Sequence, residues 1–240
     1  MHRLDAARIL ELSERGAALS PSRRALLVLA AAFPDVPETR LLGLPLGARD
    51  GLLMRVRAAL FGEALTARQA CIACAEAFEL SFTAAQLGFS PAGEAEGDFP
   101  EPPRGILVLG RRRHPVRALT SADMLAAEEA DGPEAARAAL IARAVPDAPA
   151  DALDAARVAE ALEALDPLAD ITLDAACPAC GAANELQFDA AAFVWRELVA
   201  RAPRILRDVA DLARAFHWSE RDILAMPASR RAFYLAQASP

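Results

Sequence analysis

Two cysteine pairs of identical spacing, Cys71-Ile72-Ala73-Cys74 and Cys177-Pro178-Ala179-Cys180, constrain this chain more than any other feature. They are its only cysteines, and Cys177 stands 103 positions after Cys74. A two-residue spacer lets both sulfurs of one turn face a single ion, and four thiolates arranged as two such turns suit tetrahedral zinc. Competing readings are free buried cysteines or a redox pair. A redox pair belongs at a strand-to-helix junction, whereas Cys177–Cys180 has strand patterns on both sides. With all four ligands supplied by protein, the metal would be structural and not catalytic. Proline after the first cysteine and glycine after the second, as in Cys177-Pro178-Ala179-Cys180-Gly181, suit a turn that needs positive φ at its last residue. The first turn carries Ile72 and Ala75 at those places, which predicts a strained or differently shaped turn.

The composition allows a sizeable core: 54% of residues are apolar and 25% charged. All 26 basic residues are arginine, which reads as codon bias and carries no function. A net charge of −7 argues against a protein that coats nucleic acid. No apolar run reaches membrane-span length, and Asp5, Glu11 and Glu14 stand where a secretion signal would be apolar. The chain reads as soluble and cytoplasmic, a reducing setting in which paired cysteines serve metals more than disulfides.

Periodicity predicts an α+β fold, mostly helical, with a small central antiparallel zinc-ribbon-like sheet. Residues 1–66 form an N-terminal helical module: a helix over 4–15, a second opened by Ser20-Pro21 and running through Phe33, and a third after Gly47 with Arg49, Arg55 and Arg57 outside its apolar face. Residues 67–120 supply the first half of the ribbon. There Phe78, Leu80 and Phe82 alternate with polar residues as in a half-buried strand, 88–104 reads as a mobile surface loop, and Ile106–Leu109 is a strand returning through a turn at Arg111-Arg112-Arg113-His114-Pro115. Residues 121–166 form a helical insertion, with Thr120 or Ser121 as the first cap and a restart at Gly132-Pro133. Residues 167–189 hold the second half of the ribbon. Residues 190–240 begin with one long amphipathic helix capped by Asp189, which Pro203 is expected to kink or split near Ala200, followed by two short helices.

Outside the cysteines the signals are weaker. Arg111, Arg112, Arg113 and Arg117 with His114 make the basic cluster, a possible anion contact, although no aromatic residue stands among them to stack on bases. His114, His217, Trp195 and Trp218 read as structural. No phosphate loop or nucleophile elbow appears, and no nucleophile, base and oxyanion donor can be assembled, so an enzyme is the least favoured class.

Asp166-Pro167-Leu168-Ala169-Asp170, the second cysteine turn, Phe188-Asp189 and the Trp195 helix resemble proteins encoded with contractile phage tails and tail-like injection systems. The segment His217-Trp218-Ser219-Glu220-Arg221-Asp222-Ile223-Leu224, with Pro227, Arg230, Arg231 and Tyr234, strengthens the resemblance, as do Leu44–Asp50 and Leu60-Phe61-Gly62. More remotely the chain is similar to baseplate hub assembly chaperones. The resemblance implies a non-enzymatic role in building a baseplate, with tail or baseplate proteins as partners. Trp218, Arg221, Arg230, Arg231 and Tyr234 are then candidates for docking, since aromatic residues and arginine concentrate at interface centres. A lid of Trp218 and Tyr234 over Val209–Phe216 is the structural alternative. The competing function is a zinc-ribbon nucleic-acid-binding regulator using Arg111–Arg117.

Overall fold

A computed structural model describes residues 1–89, 99–149 and 153–238. Most of the segment read as a mobile loop over 88–104 lies outside the described residues.

The chain opens with α1 (Ala6–Gly16), α2 (Pro21–Ala32), the short α3 (Glu38–Leu42) and α4 (Leu46–Phe61). Two strands follow, β1 (Ala64–Ala70) and β2 (Ala77–Thr83), then β3 (Arg104–Leu109) and β4 (Arg112–Arg117). Helices α5 (Ser121–Glu128), α6 (Pro133–Ala144) and α7 (Ala155–Leu165) lead to β5 (Ile171–Ala176) and β6 (Ala183–Phe188). The 27-residue α8 (Ala190–Phe216), α9 (Glu220–Ala225) and α10 (Ala228–Ala238) complete it.

The fold is mixed helix and antiparallel strand, but not around one central sheet. Among the described residues the strands pair only with their sequence neighbours, giving three two-stranded hairpins. A two-stranded ribbon cannot bury its own apolar face, so each leans on something else. β3–β4 packs Leu107 and Val116 against Val145 and Val158 of the α6–α7 region. The other two hairpins face each other through the cysteines.

The main core joins the start of the chain to its end. Leu12 of α1, Val28 and Leu29 of α2 and Leu53 of α4 pack with Phe193, Val194, Leu198 and Ile205 of α8. The α8 stripe Val194, Leu198, Ala202, Ile205, Val209, Leu212 is buried at helical spacing. Pro203 does not split the helix: α8 runs through it. Pro203 and Val199, whose carbonyl loses its N–H partner to the ring, are both exposed, so water can satisfy what the proline leaves open.

Two caps come from distant parts of the chain. Ser20 precedes α2 as expected, but its hydroxyl does not cap the helix; it donates to Glu128 at 2.5 Å, and the same carboxylate accepts the Ser22 N–H at 2.9 Å. Burial raises the Glu128 pKa, yet these hydrogen bonds outweigh it and hold the group below the ordinary glutamate value. A depressed carboxylate pKa contributes stability that is present above the unfolded value and lost as pH falls through the folded one. Glu128→Gln should therefore lower the melting temperature at pH 7 by a few degrees, about 1 kcal/mol, and flatten the loss of stability between pH 5 and 3. Equal pH profiles for the two proteins would rule the cap out.

The second distant cap joins the start of α4 to the residue that follows α7. Asp166 Oδ2 accepts the Gly47 N–H at 2.9 Å in the first turn of α4. A Cβ on Gly47 would stand 2.2 Å from Asp166 Oδ1 and 2.8 Å from Leu168 Cβ. Gly47→Ala must push that carboxylate off the helix end. We expect a loss of about 2–3 kcal/mol, combining overpacking with a lost charge-assisted hydrogen bond. Chemical denaturation checks this, and an unchanged midpoint would refute the contact.

Candidate metal centre

Each cysteine pair occupies the tip of a hairpin, and the two tips are built alike. Ala70 pairs with Ala77 below the first, and Ala176 with Ala183 below the second. In the first turn the Cys71 N–H donates to the Glu76 carbonyl (2.9 Å) and the Ala75 N–H to the Cys71 carbonyl (3.0 Å). In the second the Cys177 N–H donates to the Ala182 carbonyl and the Gly181 N–H to the Cys177 carbonyl, both at 2.8 Å. The first turn is thus not differently shaped. It holds Ala75 at φ 60° where Gly181 takes φ 76°. The expected strain is present and sits on one alanine: left-handed backbone costs an L-residue about 1–2 kcal/mol. Ala75→Gly should accordingly stabilise the protein by up to ~1 kcal/mol, the gain being reduced by glycine's larger unfolded-state entropy. An unchanged or lower midpoint would show that the side chain contributes something the turn geometry does not.

The four sulfurs converge. Cys71 Sγ lies 3.7 Å from Cys180 Sγ, and Cys74 Sγ 3.8 Å from Cys177 Sγ; all four fall within 4.8 Å of one another. These distances exclude disulfides, which need about 2.05 Å, and all four cysteines are free. They match instead the edge of a thiolate tetrahedron, which for metal–sulfur bonds of about 2.3 Å is about 3.8 Å. One cysteine of each pair, Cys71 and Cys177, is buried, and the other two are exposed. The cluster can hold a metal ion, and with four thiolates around it no coordination position is left for substrate.

The protein already favours thiolate at one corner. Backbone N–H groups of Cys74 and Ala73, aided by Asn184, draw the Cys71 pKa down to about 6 against the opposing effect of burial. At Cys74 a backbone hydrogen bond from Glu76 also pulls downward, but the neighbouring thiols of Cys180, Cys71 and Cys177 together with burial push it up to about 12. Four thiolates so close repel one another unless a cation stands among them.

Asn184 is the site residue that sequence reasoning missed. It is buried, accepts the Ile72 N–H through Oδ1 at 2.9 Å, and donates through Nδ2 to the Ala182 carbonyl (2.9 Å) and towards Cys71 Sγ (3.7 Å). One side chain therefore fastens the first turn to the second hairpin and orients a ligand sulfur, the role of an outer-shell partner. The signal was a polar residue in phase with Leu186 and Phe188 on β6. Its counterpart in the first hairpin, seven residues after the leading cysteine, is the buried Phe78.

The arginine cluster is not gathered into a turn. Gly110 and Arg111 alone separate β3 from β4, with Gly110 at φ 62°, the glycine-first geometry of a two-residue hairpin loop. Arg112 and Arg113 are exposed on β4, and His114 is buried. Arg117 grips Asp123 with both Nη atoms, at 2.6 and 2.9 Å. Asp123 is itself the acidic partner in the capping box of Thr120 at the start of α5, so Arg117 is an internal tie and leaves the anion set.

In the C-terminal segment Trp218 stacks on Phe216 at 4.7 Å, and Tyr234 meets both rings edge-on. They cover Leu212 and Ile223. Arg221, Arg230 and Phe233 are exposed, whereas Arg231 is buried.

Fold and site define a helical chain whose two cysteine hairpins are positioned to share one ion. Comparison with family models, curated proteins and solved structures found no match. Among the described residues no helix is long and apolar enough to cross a membrane.

Proposed function

We propose that this chain is a non-enzymatic assembly factor or structural component of a contractile phage tail-like baseplate, organised by a structural zinc ion on Cys71, Cys74, Cys177 and Cys180. The observation that carries the metal reading is the tetrahedral spacing of the four sulfurs. Zinc is the ion of choice because it takes four thiolates without redox chemistry or geometric demand of its own. The baseplate reading rests on the resemblance of the Asp166–Asp170, second-cysteine and His217–Tyr234 segments. The Leu44–Asp50 segment, which shares that resemblance, is tied to the first of them by the hydrogen bond from the Gly47 N–H to Asp166. Such a protein needs surfaces for tail proteins and no catalytic set; Arg221, Arg230 and Phe233 offer one where the lid of Trp218 and Tyr234 ends.

Expression with its gene neighbours tests the role. Tail or baseplate proteins should co-purify with the wild-type chain and be lost on changing Arg221 and Arg230 together to Ala, with the melting temperature retained. Neighbours unrelated to sheath, tube or spike, with no such co-purification, would overturn it. The rival regulator reading is weakened by the engagement of Arg117 with Asp123. A salt-dependent gel shift abolished by changing Arg111, Arg112 and Arg113 to Ala would restore it.

A further inference from the structure

A cavity of about 510 Å³ opens where the beginning of the chain meets its end. Arg3 and Asp5 line it ahead of α1, Arg201 from α8, and Ala228, Ser229 and Arg231 from the first turn of α10. Arg231 gives the cavity its character. The residue is 6% exposed, one Nη donates to the Met226 carbonyl at 2.9 Å, and its Nε is buried without an acceptor. Among the described residues no carboxylate pairs with Arg3, Arg201 or Arg231. A buried guanidinium is ordinarily matched by a counter-charge, because burial without one carries the full cost of desolvation. Independently, α10 is an 11-residue helix whose opening residues Ala228 and Ser229 face the same space. The Pro227 carbonyl takes the N–H groups of Arg230 and Arg231, which leaves those of Ala228 and Ser229 at the positive end of the helix dipole.

Asp5 is the one acidic side chain of the lining. It already accepts the Arg8 N–H as cap of α1 through Oδ1. Against the three arginines it leaves an excess of two positive charges. A carboxylate ligand would neutralise half of that. A phosphate monoester, at about −1.5 to −2 near neutral pH, matches it and offers three acceptor oxygens to guanidinium and helix N–H donors. The volume lies in the range of small-molecule sites, about 300–1,000 Å³, and leaves room beyond the phosphate itself. We infer that this cavity binds a small phosphate-bearing anion, held by Arg231, Arg201, Arg3 and the N-terminus of α10.

Calorimetric titration of the full metal-loaded chain with inorganic phosphate, in chloride buffer of constant ionic strength, tests this. Phosphate should bind saturably and acetate at least ~10-fold more weakly. Arg201→Gln changes an exposed side chain, so it should preserve the fold while weakening phosphate binding by ~10-fold or more. Arg207→Gln, exposed on the same helix as Arg201 but outside the cavity, should leave binding unchanged. The inference is overturned by absence of saturable binding, by acetate binding as tightly as phosphate, or by equal affinity in wild type and the Arg3→Gln, Arg201→Gln double variant.

Discussion

Cys177→Ser should strip the protein of about one zinc per chain and lower its melting temperature by roughly 10–20 °C. Cys74 and Cys177 are 103 positions apart, and their sulfurs approach to 3.8 Å. Linking them through an ion removes the closure entropy of a loop of that length from the unfolded chain. For a covalent link across about 100 residues this is worth about 4–5 kcal/mol, and each kcal/mol moves the transition of a chain this size by about 2–4 °C. Serine keeps the volume but replaces a thiolate that zinc binds strongly with a hydroxyl that remains protonated. It also leaves three sulfurs and Asn184 arranged around an incomplete tetrahedron. Because the ligands bind metal as thiolates, protons compete, and acid should release the ion from the wild type well before the helical core unfolds. Elemental analysis of freshly purified reduced protein, with thermal denaturation before and after chelator, decides the matter. Wild-type protein without bound metal, or a Cys177→Ser protein that melts with the wild type, would mean that no metal clamps the two hairpins together.

How much of this was legible in the sequence depends on how local its cause is. Cysteine spacing, Pro21, the Gly132-Pro133 restart and the Asp189 cap act within a turn, and the structure places α2, α6 and α8 where those signals put them. Strand β1 was missed because Ala64-Leu65-Thr66-Ala67-Arg68-Gln69-Ala70 offers one large apolar residue; its identity as a strand comes from pairing with β2, which is a tertiary fact. The same limit hid the three-hairpin arrangement. Alternation predicts strands, but nothing in it specifies whether hairpins join into a sheet or meet only at their tips. The cysteine site was readable in its ligands and not in its support. Asn184 acts across 112 positions on Ile72 and 113 on Cys71, a partnership visible only after the hairpins are brought together. Arg49 and Arg57, expected outside the apolar face of α4, are buried. Helical periodicity treats arginine as a solvent residue and has no means of knowing that carboxylate and carbonyl partners will be waiting inside.

Arg57→Ala should cost about 3–5 kcal/mol, the largest effect expected for a residue away from the cysteines. Arg57 is 3% exposed, and its guanidinium makes four hydrogen bonds. Nε and Nη2 reach the two carboxylate oxygens of Glu197 on α8 at 2.7 and 3.0 Å. Nη1 donates to the Gly62 carbonyl at 2.5 Å, and Nη2 also to the Ala64 carbonyl at 2.6 Å. One side chain therefore ends α4, fixes the entry into β1, and ties both to the long helix. Gly62, at φ 87°, makes the sharp exit from α4 that brings those carbonyls within reach. Alanine would leave the Gly62 and Ala64 carbonyls without this donor and a partly buried Glu197 without its cation. Because β1 leads directly into Cys71, the loss should also loosen the first cysteine turn and quicken metal exchange. Arg57→Lys keeps the charge but cannot reach a bidentate carboxylate and two carbonyls at once, so it should recover less than half of the lost stability. Arg57→Ala paired with Glu197→Gln supplies the decisive comparison. If the network acts as one unit, the double variant is more stable than the sum of the single losses predicts, by about 1–3 kcal/mol. Strict additivity, with unchanged metal exchange in Arg57→Ala, would mean that the guanidinium merely fills space between α4 and α8.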